Sequence, residues 1–339
     1  MKKAFLAGIM AMLLALFFML PGAMAAGATS VTINGQTLSA TNTTTTDGHA
    51  VFNAATSTLT LNGAHYENLS YVGDDIHLLY ANGDLTINLV GSNSLKVEPD
   101  NMFGSENKVY GIRVADGGLT INGSGSLSVT LEHWVPLFGI YVGSYGQSNF
   151  TMESGTLSVR CTSTESAVAA LTAGLVTMKG GTGSFYAKST DDFAVAMEFR
   201  EEWLNYTGGT FTFISDNTNG GTDYYALYYT GELNDPAYHI TDGEVHVSQY
   251  PDGSDPSLWT SDTQSGRLAS NRSGLSTFHY VRFSSTLPEP TPIVTATPAL
   301  TAEIPQTGDS AAPWLWAGLL LCALLGIAGL AVVRYRAMQ

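Results

Sequence analysis

The sequence predicts an all-β protein whose central part is a parallel β-helix, and three observations support this fold class. A unit of two alternating strands around a small-residue turn recurs along the chain, as in GGLTINGSGSLSVT at Gly117–Thr130. Equivalent residues of successive units lie 26 to 34 residues apart, a period typical of a solenoid. Charged residues make up only 13% while Gly numbers 36, which favours turn-rich β-structure over helices. The equivalent residues are Leu95, Leu127, Leu157, Gly183, Phe211 and Val245.

Each period also contains a third short strand, such as HLLY at His77–Tyr80. Three strands per coil are typical of a parallel β-helix, which we expect to be right-handed. In the alternating strands, Leu127 and Val129 would point inward and the Thr and Ser residues outward. We expect Leu127 to stack on Leu95 and on Leu157. Because the turns could equally be hairpin loops, an antiparallel β-sandwich is the alternative.

The chain begins with the parts of a secretory signal peptide, which we assign to residues 1–25. A basic start is followed by the apolar run Ala4–Leu20 and an A-x-A motif at Ala23–Ala25, the order found in such peptides. An uncleaved membrane anchor is the alternative. We assign residues 26–64 to an atypical N-terminal β cap, which an open solenoid end requires, and residues 65–249 to the β-helical repeats.

The repeat pattern is lost after this point. Residues 250–285 are assigned to a C-terminal cap and loop region. Residues 286–303 carry prolines among Thr and Ala, a composition typical of an extended, semi-rigid stalk. The final segment, residues 304–339, contains IPQTG, an apolar run at 311–333 and a basic end. The apolar run is long enough to span a bilayer, with the arginines on the cytoplasmic side.

This final arrangement resembles the cell-wall sorting signal of Gram-positive surface proteins. The pentapeptide consists of Ile304, Pro305, Gln306, Thr307 and Gly308; the family pattern is LPxTG, and Ile304 stands in place of the leucine. The resemblance implies that a sortase cuts between Thr307 and Gly308 and joins Thr307 to peptidoglycan. The apolar span would then hold the chain in the membrane only before sorting. A permanent membrane anchor is the alternative, and the leucine replacement leaves the sortase class open.

The part of the chain between Val31 and Ser248 is similar to Firmicutes surface proteins described as carbohydrate-binding-domain proteins with β-helical repeats. The shared motifs include LTLNGA at Leu59–Ala64 and GDLTINLVGSNSL at Gly83–Leu95. These motifs reflect core packing and turns, so they indicate the architecture more strongly than the ligand. The resemblance implies carbohydrate binding.

Catalytic and metal-binding patterns are not found in the sequence. The histidines have no metal-ligand spacing, and HExxH, nucleophile-elbow, P-loop and CxxC motifs do not occur. Adjacent acidic residues such as Asp74–Asp75 and Asp191–Asp192 point to opposite faces of a strand or lie in turns. We therefore expect no enzyme activity, no catalytic residue and no cofactor. Asp252 and Asp255 lie close together in one loop and could hold Ca²⁺, with an ordinary turn as the alternative.

Aromatic residues provide the ligand-binding hypothesis. Tyr224, Tyr228 and Trp203 are the candidate residues, because exposed rings can stack on sugar faces. In an alternating strand, Tyr224 and Tyr228 would share one face, and Tyr225 and Tyr229 would share the other. Rings that only cap the last coils are the alternative.

The sequence therefore predicts an exported, wall-anchored surface protein that acts in binding or adhesion, with carbohydrate on a host or neighbouring cell as the expected ligand. The expected partners are a sortase, peptidoglycan and glycans. A formal charge of −15 argues against nucleic acid as a partner. The alternative functions are a polysaccharide lyase or hydrolase on the same scaffold and a structural surface spacer.

Overall fold

The chain folds into a coil of short, stacked parallel β-strands, which confirms the all-β class and the β-helix instead of the sandwich. This computed structural model describes residues 26–72, 74–97, 104, 107–146, 148–200, 203–217, 224–230, 237–240, 243–259 and 278–285. All of them belong to the compact unit Met1–Leu287. Helical structure within these ranges is limited to a single 3-10 turn at Ser144–Gly146. The strands form a solenoid of about five turns, and its right-handedness stays a prediction.

Three sheets form the walls of the coil, and each full coil contributes one strand to each sheet. Sheet I contains β1 (Ser30–Ile33), β2 (Gln36–Ser39), β6 (Ser70–Val72), β7 (Asp75–Asn82), β10 (Val109–Ala115), β13 (Leu137–Val142), β16 (Val168–Ala173), β19 (Ala194–Phe199) and β22 (Tyr224–Tyr229). Sheet II contains β3 (Ala50–Asn53), β4 (Thr58–Asn62), β8 (Leu85–Val90), β11 (Leu119–Gly123), β14 (Phe150–Met152), β17 (Val176–Met178), β20 (Trp203–Tyr206) and β23 (Ala237–Ile240). Sheet III contains β5 (His65–Tyr66), β9 (Ser92–Val97), β12 (Ser126–Glu132), β15 (Thr156–Ser163), β18 (Thr182–Ser189), β21 (Thr210–Asp216), β24 (Glu244–Ser248), β25 (Ser257–Trp259) and β26 (Tyr280–Ser284).

The sheets are parallel within the coil and antiparallel near its ends. Strand β1 pairs antiparallel with β2 and β7, and β3 pairs antiparallel with β4. Near the C-terminal end, β26 pairs antiparallel with both β21 and β24. Short antiparallel strands of this kind cover the open edges of a stacked sheet, in agreement with the capping units expected from the sequence.

Rows of apolar side chains from successive coils fill the interior. As predicted, Leu127 lies opposite Leu157, and Leu157 lies opposite Gly183. The expected stacking of Leu127 on Leu95 is wrong, because Leu127 lies opposite Asn93. The Asn93 side chain is buried, and its amide makes three hydrogen bonds to main-chain groups. A polar residue can occupy this inward position because its hydrogen-bonding groups are satisfied.

The predicted last step of the apolar row is also wrong. Val245 does not lie beside Phe211, because β26 runs between their strands and places Phe283 opposite both of them. Val281 and Phe283 are buried in the core. Strand β26 therefore continues the apolar row, although it runs antiparallel to its neighbours.

Sheet I bends at a row of small residues, where the alternation of inward and outward side chains breaks. In β10, β13, β16, β19 and β22 two consecutive residues point inward and the first is small, whereas β7 has Leu78 at this position. These pairs are Gly111–Ile112, Gly139–Ile140, Ala170–Leu171, Ala196–Met197 and Ala226–Leu227. A Cβ atom on Gly139 would lie 2.3 Å from Val159 Cγ1 and 2.6 Å from Ala170 O. Because two inward residues follow each other, the outward residues on either side of the bend, such as Tyr110 and Arg113, are three positions apart.

We expect Gly139→Val to destabilise the coil by about 1–3 kcal/mol, because the added side chain overpacks the bend against Val159 and the neighbouring main chain. Urea unfolding followed by circular dichroism measures the change. Ser158→Ala, at an outward position of β15, is the control and should change the free energy of unfolding by no more than about 0.5 kcal/mol. If Gly139→Val and the original protein had equal free energies of unfolding, the bend would accommodate the larger side chain and the prediction would be wrong.

Candidate functional site

The candidate site is the outer face of sheet I, where in-register stacking of β7, β10 and β13 brings aromatic residues together. His77, Tyr110 and Phe138 are register partners in one row, and Tyr80 and Tyr141 lie on either side of an arginine in the next row. These five residues are termed the ring cluster. They occupy the outward positions of strands whose inward residues belong to the core.

The rings of this cluster pack on one another. Tyr110 stacks on Phe138 with centroids 5.0 Å apart, and on His77 with centroids 5.1 Å apart. Tyr141 meets Tyr110 and Phe138 edge to face, at 5.5 and 5.4 Å. Tyr110 and His77 are buried, whereas Tyr80, Phe138 and Tyr141 are partly exposed. The cluster therefore presents ring surface to solvent above a buried floor.

Arg113 is held against the ring cluster by a carboxylate and a ring. Its Nη1 donates to Asp75 Oδ2 in an ion pair, and its Cζ lies 4.7 Å from the centroid of the Tyr110 ring. The side chains of Arg113 and Asp75 are 24% and 29% exposed, so the pair reaches the surface. A planar guanidinium held in this way keeps one orientation and directs its other N–H groups.

A second arginine–carboxylate pair lies further along the same face. Arg200 Nη2 donates to Glu198 Oε1 at 3.3 Å. The hydroxyl groups of Thr230 and Thr172 donate to the two Glu198 oxygens at 3.3 and 3.5 Å. The pKa of Tyr141 is raised mainly by burial, and the charges of both ion pairs also act on it. Tyr141 is on β13, which lies between β10 and β19 in sheet I.

His77, on the floor of the cluster, is a buried polar group. Within the described part of the chain, neither its Nδ1 nor its Nε2 has a hydrogen-bond partner, and the same holds for Nε of Arg113 and Nε of Arg200. Burial, followed by the nearby Arg113 cation, lowers the pKa of His77 to about 4, against an opposite effect of Asp75. The imidazole is therefore neutral at pH 7, with one donor and one acceptor nitrogen.

The structure separates the tyrosines that the sequence assigned to one face. Tyr228 lies on the outer face of sheet I and stacks on Tyr225 with centroids 4.9 Å apart. Tyr224 packs against the core and stacks on His279 with centroids 4.0 Å apart. The expectation that Tyr224 and Tyr228 share a face is wrong, because the bend at Ala226 breaks the alternation. Tyr224 is accordingly a packing residue, and Tyr228 remains a ligand-binding candidate.

The other predicted site residues belong to elements outside sheet I. Trp203 begins β20, and its side chain lies outside what the structure describes. Asp252 and Asp255 lie in an exposed turn, where hydrogen bonds from Ser254 lower the pKa of Asp252. Within the described ranges, no group of three or more His, Cys, Asp and Glu residues could hold a metal ion. Calcium binding stays a prediction.

Sequence reasoning missed the ion pair at the centre of the site. Arg113 and Asp75 are 38 residues apart, and no local motif connects them. The available signal was the repeated third strand, since HLLY at 77–80 and YGIR at 110–113 occupy the same phase of successive periods. Aligning these strands would have placed Tyr80 beside Arg113, as the register shows.

Comparison of the chain with family models, with curated proteins and with solved structures finds no match. No helix in the described part of the chain is long and apolar enough to cross a membrane. The predicted signal peptide (1–25), stalk (286–303) and sorting segment (304–339), including residues 304–308, lie outside the described residues.

We expect His77 to make folding stability depend on pH between about 6.5 and 4. The unfolded ring titrates near 6.5 and the folded ring near 4, so the unfolded state binds the proton first and stability falls as pH drops through this window. Above about pH 6.5 no stability is lost, and the loss grows to about 3 kcal/mol as the pH falls to 4.

Urea unfolding at several pH values measures the free energy of unfolding as a function of pH. In His77→Phe this free energy should no longer fall between pH 6.5 and 4 on account of residue 77. His65→Phe, which replaces an exposed histidine, is the matched control and should retain the slope. A His77→Phe profile parallel to the original one would contradict the prediction.

Proposed function

We propose that this protein is an exported, cell-wall-anchored surface protein that binds carbohydrate through the outer face of sheet I. The observation that carries the binding part is the ring cluster beside the Arg113–Asp75 ion pair. Partly exposed rings provide stacking surfaces for the apolar faces of sugars, and oriented charged groups beside them provide hydrogen bonds to hydroxyl groups. The export and anchoring parts rest on the signal-peptide pattern and on the IPQTG segment.

The same face favours binding over hydrolysis. The two carboxylates that pair with arginines on it among the described residues, Asp75 and Glu198, belong to strands four steps apart in sheet I, or about 19 Å at roughly 4.8 Å per step. The two carboxyl groups of a glycosidase lie within about 10 Å of each other. Each carboxylate is also engaged by its own arginine, which suits a fixed binding surface better than proton transfer.

Removing an exposed ring of the cluster should weaken glycan binding. For Phe138→Ala and Tyr141→Ala we expect about a tenfold loss of affinity each, because each change removes one stacking surface. A glycan-array screen of the protein, followed by titration calorimetry with the best ligand, measures the effect.

Tyr186→Ala is the matched control. Tyr186 is an outward tyrosine of sheet III with the Arg160 guanidinium 4.1 Å from its ring centroid, so it repeats the tyrosine–arginine pair on another face. Equal losses in all three variants would place the binding site elsewhere. Absence of binding to any glycan would refute the carbohydrate function.

Thr307→Ala should abolish wall attachment, because the sortase reaction joins the Thr307 carboxyl group to peptidoglycan and requires the motif residue. Cell fractionation with muramidase release measures the wall-bound fraction. Gln306→Ala changes the variable position of the same motif and should leave that fraction intact. A wall-bound Thr307→Ala protein would rule out sortase anchoring at this site.

A further inference from the structure

The outer face of sheet I contains buried polar atoms that have no hydrogen-bond partner among the described residues. His77 is 0% exposed, yet neither of its ring nitrogens has a hydrogen-bond partner among the described residues, and Arg113 Nε is in the same situation. Buried polar groups in folded proteins are nearly always hydrogen-bonded. Several unsatisfied atoms in one cluster therefore indicate a polar group that comes from solvent or from a ligand.

The chemistry of these atoms defines which group fits. Arg113 Nε–H can only donate, whereas a neutral imidazole offers one donor and one acceptor. A carboxylate or sulfate oxygen can accept hydrogen bonds but cannot donate one to the acceptor nitrogen of His77. A hydroxyl group can do both, so it is the uncharged group whose chemistry matches the two kinds of atom.

The charges on this face lead to the same conclusion. Asp75 neutralises Arg113, and Glu198 neutralises Arg200, so neither arginine has an unbalanced charge to attract an anion. The whole chain has a formal charge of −15, which repels anionic polymers. An uncharged ligand meets no such penalty.

The arrangement occurs twice on the face. Arg200, like Arg113, is paired with a carboxylate and has a buried Nε without a partner in the described residues. Arg113 lies in β10 and Arg200 directly follows β19, and these strands are three steps apart in sheet I, or roughly 14 Å. Tyr141 is on β13, between these two strands, so that one ligand can contact an arginine, a ring and the second arginine in succession.

We propose that this face selects uncharged, hydroxyl-rich oligosaccharides and discriminates against acidic ones, with Arg113, oriented by Asp75 beside His77, as the specificity-determining residue. The inference rests on the proposed carbohydrate function and extends it to the class of ligand. Asp75 acts here by cancelling the charge of Arg113 and by fixing its orientation.

The test compares lacto-N-neotetraose with its sialylated form, which differs by one acidic sugar, and adds neutral and uronate-containing glycans from an array. The full chain is used, in a zwitterionic detergent without sugar groups. We expect the neutral forms to bind better than their acidic counterparts. Asp75→Asn leaves the Arg113 charge unbalanced. This variant should reduce the ratio of neutral-glycan affinity to acidic-glycan affinity by roughly fivefold.

Two further variants separate selectivity from folding. Arg113→Lys keeps the cation but removes the planar fork and its Nε–H, and should weaken neutral-glycan binding roughly tenfold. Glu153→Gln is the matched control, because it breaks the exposed Lys179–Glu153 ion pair remote from this face and should change nothing.

The possible failures are distinguishable. Glycan binding with an acidic preference, or a neutral preference that Asp75→Asn leaves unchanged, would overturn this inference while the carbohydrate function stands. No binding to any glycan would overturn both.

Discussion

In-register stacking of parallel strands is the constraint on which the rest of this structure depends. Each inward position lies directly against the equivalent position of the coils before and after it, so the volumes of successive residues have to compensate for one another. Gly183 shows this: a Cβ atom there would lie 2.5 Å from the Phe211 ring and 2.9 Å from the Phe185 ring. The two phenylalanines occupy the space that the glycine leaves, and a close-packed interior of this kind cannot absorb an added methyl group without displacement.

The same constraint shapes the outer face of sheet I. Small inward residues at the bend let two consecutive residues point into the core, which moves the outward positions on the two sides of the bend into one surface. Tyr110 and Arg113 therefore share a face, whereas residues three positions apart in a strictly alternating strand would point to opposite faces. Repetition of the bend in β10, β13, β16 and β19 extends that surface over several coils, so the ring cluster and both ion pairs lie on a common wall. A feature required for packing thus also assembles the candidate site.

The sequence was a good guide to the fold and a poor guide to the site, and the reason is the range of the interactions. The apolar row through Leu127, Leu157 and Gly183 could be predicted because each unit repeats the same local pattern. The inward amide of Asn93 breaks that pattern with a polar residue whose partners come from other strands. The return of β26 depends on a strand far along the chain. Likewise, the ion pair between Arg113 and Asp75 exists only through strand register, which a single period does not reveal.

Rigidity is what makes such a face suitable for recognition. The Arg113 guanidinium is fixed by a carboxylate on one side and the Tyr110 ring on another, and Tyr110 is in turn fixed between His77 and Phe138. These contacts exist before any ligand arrives, so binding does not have to order flexible side chains, and that lowers its entropic cost. A sugar binds weakly per contact because each hydroxyl exchanges one hydrogen bond with water for one with protein. On the proposed carbohydrate function, the orientation already built into the face lowers the entropic cost of binding, and a stacked solenoid supplies it without a dedicated loop.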